Sequence, residues 1–140
     1  MIPVRGYKGC FVGVLGLGLT GVATAKALES GGAHPFCWDD KASVRHEAQQ
    51  FGIEIFDLTK ESILSQVSIL IVSPGIPHLY PQPHPIVAMA LKKGIVIDND
   101  ISLFFRSFAQ ESWSQFQKIP QVICVTGSNG KSTTTGLIEH

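Results

Sequence analysis

Two short glycine-rich stretches carry residue types suited to holding phosphate. The first, GLGLTG at residues 16–21, matches the pattern G-x-G-x-x-G. Glycines so spaced let the backbone turn tightly and approach a ligand closely, and they aim a helix N-terminus at a diphosphate. Gly18, Leu19, Thr20 and Gly21 form the part of the loop that would face such a ligand. Asp39 and Asp40 follow about twenty residues on, where a dinucleotide-type fold keeps an acid for ribose hydroxyls. The second stretch, TGSNGKST at 126–133, offers Gly127, Ser128, Asn129 and Gly130 as a turn ahead of Lys131, Ser132 and Thr133. There the backbone N–H groups of Asn129, Gly130 and Lys131 can surround phosphates, the Lys131 amine can reach the β- and γ-phosphates of ATP, and the Ser132 hydroxyl can ligate Mg2+. The usual G-x-x-x-x-G-K-[ST] would need a glycine at Val125, so this loop is a shorter variant, G-x-x-G-K-S, starting at Gly127. A third stretch, SPGIP at 73–77, ends an apolar run with a turn whose Gly75 has no side chain.

These loops need strands before them and helices after them. FVGVLG (11–16), HPFCWDD (34–40), IEIF (53–56), SILIVS (68–73) and IVID (95–98) read as five short strands. Helical composition fills residues 20–30, 42–51, 86–93 and 101–108, with a weaker turn or two at 60–66. Pro85 suits the first turn of the third of these helices, whereas HLYPQPHP (78–85) holds too many prolines for regular structure. Strands alternating with helices predict an α/β fold, a Rossmann-like parallel five-stranded sheet with helices on both faces. VICVT (122–126) reads as a sixth strand, followed by the phosphate loop and a helix. The expected division is therefore residues 1–118 as one Rossmann-like domain and 119–140 as the first strand, loop and helix of a truncated second, ATP-binding domain. Such an isolated strand and helix would leave apolar faces uncovered.

Composition narrows the class. Of 140 residues, 44% are hydrophobic and 16% charged, which suits a packed core. Eleven basic and eleven acidic side chains cancel, giving no electrostatic case for nucleic acid or a membrane surface as partner. Arg5 and Lys8 ahead of an apolar stretch mimic a secretory leader, but Gly13, Gly16, Gly18 and Gly21 break that stretch into strand, turn and helix. No uninterrupted apolar run is long enough to span a membrane. Three widely spaced cysteines, Cys10, Cys37 and Cys124, suit a reducing cytoplasm, with Cys37 and Cys124 expected as small buried hydrophobes. His34, His46, His78, His84 and His140 share no metal-ligand spacing, and His78 and His84 are expected in a solvated loop. Phe104, Phe105 and Phe108 are expected in the core, and Trp113 and Phe116 in an interdomain linker.

Taken together, GLGLTG (16–21), Asp39, SPGI (73–76), DISLF (100–104) and TGSNGKST (126–133) resemble the Mur ligases. These are the ATP-dependent amide-forming enzymes of peptidoglycan precursor synthesis, and the chain looks most like their D-glutamate-adding branch. The last motif is shared with the wider ligase superfamily, including folate polyglutamate synthases; the first and third point to the branch. The resemblance runs over nearly all of the chain. It departs at Asp40 and Lys41, where the family commonly has threonine and arginine, and at Ser102, where glutamate is usual.

The resemblance implies that the first domain binds the UDP end of UDP-N-acetylmuramoyl-L-alanine rather than a dinucleotide. Leu19 and Thr20 match positions that meet uridine and diphosphate, Asp39 the acid that bonds uracil with Asp40 beside it, and Gly75 the glycine lining the uracil pocket. ATP and Mg2+ would be held at 127–133, with Lys131 catalytic in stabilising the transferring phosphoryl group and Ser132 on the metal. The D-glutamate site and the rest of the ATPase are then expected in further domains beyond His140, and the chain alone should bind substrate without turning it over. A dinucleotide-binding oxidoreductase or NAD-sensing module is the alternative that GLGLTG and Asp39 allow, with TGSNGKST against it. A regulatory nucleotide-binding module is a third.

Overall fold

The computed structural model describes residues 2–114, 117–118 and 120–139. Four parallel strands form one sheet: β1 (Phe11–Leu15), β2 (His34–Trp38), β3 (Ile69–Val72) and β4 (Val96–Asp98), in the order β2-β1-β3-β4. Among the described residues six helices accompany them: α1 (Leu19–Ser30), α2 (Ala42–Gln50), α3 (Glu61–Leu64), α4 (Pro85–Lys92), α5 (Asp100–Gln110) and α6 (Lys131–Glu139). The Tyr80–Pro81 peptide is cis.

Side-chain alternation along the central strands divides the core between two faces. Val12 and Val14 of β1 and Ile69 and Ile71 of β3 meet Ala25 and Leu28 of α1, Ala48 of α2 and Leu103 of α5 on one face. Leu15, Leu70 and Val72 meet Leu64 of α3 and Ile86, Val87 and Ala90 of α4 on the other. Each fully buried branched side chain contributes about 1.5–3 kcal/mol, and both faces of β1 and β3 are covered, as a parallel sheet requires. Gly13 makes room here: a Cβ at this position would lie 2.7 Å from Leu70 Cδ1.

The sheet has four strands, not the expected five. IEIF makes only an isolated parallel bridge, Cys37 to Ile55, with Phe56 N–H donating to the Cys37 carbonyl at 3.0 Å. The Phe51-Gly52 turn leads in and the Asp57 turn leads out, so the segment flanks β2 without extending a ladder. VICVT is likewise not a strand. Residues 121–127 carry no regular structure, with Ile123 65% exposed, because no strand among the described residues lies beside it to accept its hydrogen bonds. Cys37 is buried, and burial together with Glu29 and Glu54 pushes its thiol up to about 12; Cys124 is exposed rather than buried. Phe104 and Phe105 are also exposed. The inward positions of α5 are Leu103 and Ser107, and the phenylalanines pack on one another and, through Phe108, on Trp113. Phe116 and His140 lie outside the described residues.

The N-terminal segment is tied across one face. Val4 N–H donates to Ala27 O, Arg5 N–H to Ser107 Oγ, and the Arg5 guanidinium holds Glu111 at 2.7 and 3.0 Å.

Candidate functional site

The chain runs from β1 to β2 on one side and then crosses to β3 on the other. The carboxyl ends of β1 and β3 therefore flank the point where strand order reverses, which is where open α/β sheets hold ligands. GLGLTG leaves β1 there, SPGIP leaves β3, and Asp39-Asp40 leaves β2.

The glycines of the first loop divide into two kinds. Gly16 sits at φ +94°, a conformation glycine takes freely, and a Cβ on it would lie 2.8 Å from Ser73. A Cβ on Gly21 would lie 1.9 Å from the Gly16 carbonyl oxygen, so α1 closes on the loop only because Gly21 has no side chain. Gly18 is different: its φ is −64°, and a Cβ there would meet nothing within 4 Å. Gly75 also faces open space. The protein's own packing demands glycine at 16 and 21 and leaves 18 and 75 unexplained by internal contacts.

Helix α1 opens at Leu19 with no side-chain cap and no acid in its first turn. Its first N–H groups and positive dipole end remain available to an anion. Leu19 is 94% exposed. Gly18 and Leu19 line a groove of about 470 Å³ between α1 and α2, where Lys26 lies 5.4 Å from the Phe51 ring centroid. Thr20 lines a second groove, of about 410 Å³, between α1 and α5.

The end of β2 clamps this loop. One carboxylate oxygen of Asp39 accepts from Leu17 N–H at 2.9 Å and the other from Lys41 N–H at 2.9 Å, while Gly16 N–H donates to Trp38 O at 2.8 Å. Arg45 donates to the carbonyls of Asp39 (2.6 Å) and Asp40 (2.9 Å), with its guanidinium 4.3 Å from the Trp38 ring. From β3, Ser73 Oγ donates to the Gly16 carbonyl at 3.0 Å. Asp40 accepts from Trp38 Nε1 at 3.2 Å and pairs with His84 Nε2 at 2.8 Å; the His84 hydrogen bond is the main reason its carboxyl lies below the ordinary 3.8. His84 Nδ1 also accepts from Ile86 N–H at 3.3 Å, capping α4. With Nδ1 accepting from Ile86 N–H, Nε2 is the nitrogen that donates to Asp40.

The structure thus brings Gly18, Leu19, Thr20, Gly21, Asp39, Asp40 and Gly75 to one edge. Sequence reasoning missed three residues that organise them: Ser73, Arg45 and His84. His84 does not float in a solvated loop, since its side chain is only 15% exposed. The one sequence signal was its place just before Pro85, a helix-cap position, although histidine is not a usual cap.

The second loop is a separate arrangement. Gly127 has φ +154° and Gly130 φ +77°, and α6 starts at Lys131. Lys131 Nζ donates to the carbonyl of Gly127 at 2.6 Å, and the Gly130 carbonyl accepts from Thr134 N–H. Residues 127–135 are exposed throughout. A glycine turn, a lysine amine curled over it and a helix start without acids in its first turn fit a triphosphate. For a metal, the loop supplies neutral oxygen donors, the Ser132 hydroxyl among them, and no group of three carboxylate, histidine or cysteine side chains is gathered among the described residues. No helix among them is long and apolar enough to cross a membrane.

Comparison with known proteins identifies the family. Residues 11–99 match the model of the family described as "Mur ligase MurD-like, N-terminal domain". The chain is 57% identical over its full 140 residues to the UDP-N-acetylmuramoylalanine–D-glutamate ligase of Cereibacter sphaeroides, covering 30% of that protein. It is 56% identical over the same span to the enzyme of that name from Ruegeria pomeroyi, again 30% of its length. With the one from Jannaschia sp. it shares 49% over 135 residues, 96% of this chain and 29% of that protein. Among solved structures, shikimate dehydrogenase from Aquifex aeolicus superposes with a TM-score of 0.54 at 18% identity, over 75% of this chain and 46% of that one, a likeness of fold alone. The chain spans about a third of the length of these curated relatives, and by its family match it belongs to the MurD-like Mur ligases, through their N-terminal domain.

Proposed function

We propose that this chain is the part of an ATP-dependent ligase that recognises UDP-N-acetylmuramoyl-L-alanine, the substrate to which D-glutamate is added in peptidoglycan precursor synthesis. The observation that carries the reading is the pair of glycines, Gly18 and Gly75, that no internal contact requires and that face open space at the switch point. The diphosphate would lie over Gly18 and the α1 N-terminus, with Leu19, Thr20 and Gly21 around it. The base would lie between Gly75 and the Asp39-Asp40 end of β2. Asp39 already spends both oxygens on the backbone, so it would hold the loop in shape as well as accept from the base.

Residues 127–133 would hold ATP. Gly127, Ser128, Asn129 and Gly130 would surround its phosphates by backbone N–H groups, with Thr133 following in the first turn of α6. Lys131 would leave its place on the loop carbonyls to offset charge on the transferring phosphoryl group, and Ser132 would give one hydroxyl to Mg2+. When bound, Mg2+ supplies charge neutralisation between the phosphates. In the reaction proposed, the substrate carboxylate receives the phosphoryl group, the D-glutamate amine attacks the resulting acyl phosphate, and an amide forms as phosphate leaves. The further ligands for ATP and the D-glutamate site belong to domains of the relatives' full length, and the domain boundary falls near residue 118. Nucleotide substrates and three free thiols suit the cytoplasm.

Isothermal titration with UDP-N-acetylmuramoyl-L-alanine, and NADH as competitor, tests this. Binding of the UDP-sugar, weakened by Thr20→Tyr and Asp39→Ala, with no NADH signal, is expected. NADH binding with the UDP-sugar ignored would return GLGLTG to a dinucleotide.

A further inference from the structure

The loop at 77–84 contains Pro77, Pro81 and Pro83 and has an exposed apolar tip, with Leu79 73% and Tyr80 90% exposed. Its two ends are joined, since His84 N–H donates to Pro77 O at 3.0 Å. The imidazole of His84 then does two things at once. Nδ1 caps α4 through Ile86 N–H, and Nε2 reaches Asp40, 44 residues away in sequence, at 2.8 Å. Among the hydrogen bonds of the described residues, this is the one that joins the loop to the end of β2. Its anchor is firm: Asp40 is also held through Trp38 Nε1 and, at its carbonyl, by Arg45. The same loop contains the one buried side-chain polar atom without a partner among the described residues, Nε2 of His78. Its hydrogen bonding is therefore incomplete among the described residues.

We propose that His84 is a positioning residue for nucleotide recognition, holding the 77–84 loop against Asp40 so that the loop forms the wall of the base site opposite the glycine loop. This rests on reading the edge as a UDP site. On it, the part of the ligand that feels His84 is the base and ribose, while the diphosphate at Gly18 does not. Asp40 then serves chiefly as the fixed end of this link.

The two roles of the imidazole can be separated by substitution. His84→Asn keeps a short acceptor for the α4 cap and cannot reach Asp40; His84→Gln keeps an N–H donor near the position of Nε2 and caps poorly. The probes are UDP and ADP, titrated into the wild-type chain and both variants, with a thermal melt of each. H84N should melt near wild type, bind UDP about tenfold more weakly and lose most of the preference for UDP over ADP, the scale on which a pocket contact discriminates. H84Q should melt lower and keep that preference. Unchanged UDP affinity and preference in H84N would overturn the proposal while the UDP site stood. A folded wild-type chain that binds neither nucleotide would overturn the UDP reading itself, and the proposal with it.

Discussion

The two glycine loops of this chain are proposed for the same chemical task and have opposite surroundings. GLGLTG is held by the sheet: its carbonyls and N–H groups are taken by Ser73, Asp39 and Trp38, and α1 seats on it at Gly21. TGSNGKST is held by itself, with Lys131 curled onto Gly127 and every neighbouring side chain in solvent. Preorganisation of a phosphate site is thus not a property of the glycine pattern. It comes from the elements packed around the pattern, and only the first loop has them here.

Hydrogen exchange should show the contrast most strongly. Amides of Val12–Leu15 pair with two neighbouring strands, whereas residues 121–127 pair with none. The first group should exchange at least about a thousandfold more slowly than the second. Equal protection over 122–138 in a monomer would erase the comparison.

Glycine substitutions come next. Gly21→Ala places a Cβ within 1.9 Å of a backbone oxygen, so helix or strand must shift, at a cost of about 3 kcal/mol in a melt. Gly130→Ala meets no neighbour and pays only for its φ of +77°, about 1–2 kcal/mol, confined to a turn that the sheet does not share. A drop in global stability after Gly130→Ala as large as after Gly21→Ala would show that the second loop is packed after all.

That asymmetry also marks what could be read from the sequence. The strand, turn and helix around GLGLTG were readable because each apolar run there is followed by its own glycine punctuation and finds a partner within the chain. IEIF and VICVT have the same composition as strands, yet a strand exists only through pairing, and composition does not say whether a partner is near. Asp39 was readable as an acid at the right distance. That its oxygens would be used by Leu17 and Lys41 was not, because the contact depends on how the β1 and β2 ends are staggered. His84 looked like one more polar residue among prolines, since its partner lies 44 residues away. Phe104 and Phe105 carry helical spacing but lie beside Leu103, which takes the inward position.

Asp39→Ala should cost about 1–2 kcal/mol, chiefly because it strips the acceptor from the part-buried Leu17 N–H, while the exposed Lys41 N–H can turn to water. Asp39→Asn, which keeps one acceptor oxygen, should cost less. The corresponding cut in the second loop has no such partners to orphan.

Acid should act on the first region through Asp40. Its folded value lies below 3.8 because His84 donates to it, so the ionised form favours the fold. That contribution is complete above the unfolded value and is lost as pH falls through the lowered folded value. Asp57, held down by Thr59, and Glu61, held down by Lys93, move the same way. Asp40 is exposed, so its part should stay under about 1 kcal/mol. The fall in melting temperature below pH 3.8 should be shallower in His84→Asn than in the wild type.

The smallest expected effect is the most discriminating. Lys131→Met removes the amine that covers the second loop, but that amine touches only the carbonyls of Gly127 and Ser128. Nothing in the sheet depends on it, so the melting curve and the affinity for the UDP-sugar should both match wild type within about 0.5 kcal/mol. If Lys131 instead weakened UDP-sugar binding, the two loops would share a ligand, and their separation into one substrate site and one ATP site would fail. If it altered neither, yet abolished amide formation when placed in a ligase of the relatives' full length, the lysine would be reserved for phosphoryl transfer. A residue so reserved has no fold to support here, which is why it can lie open on its own loop.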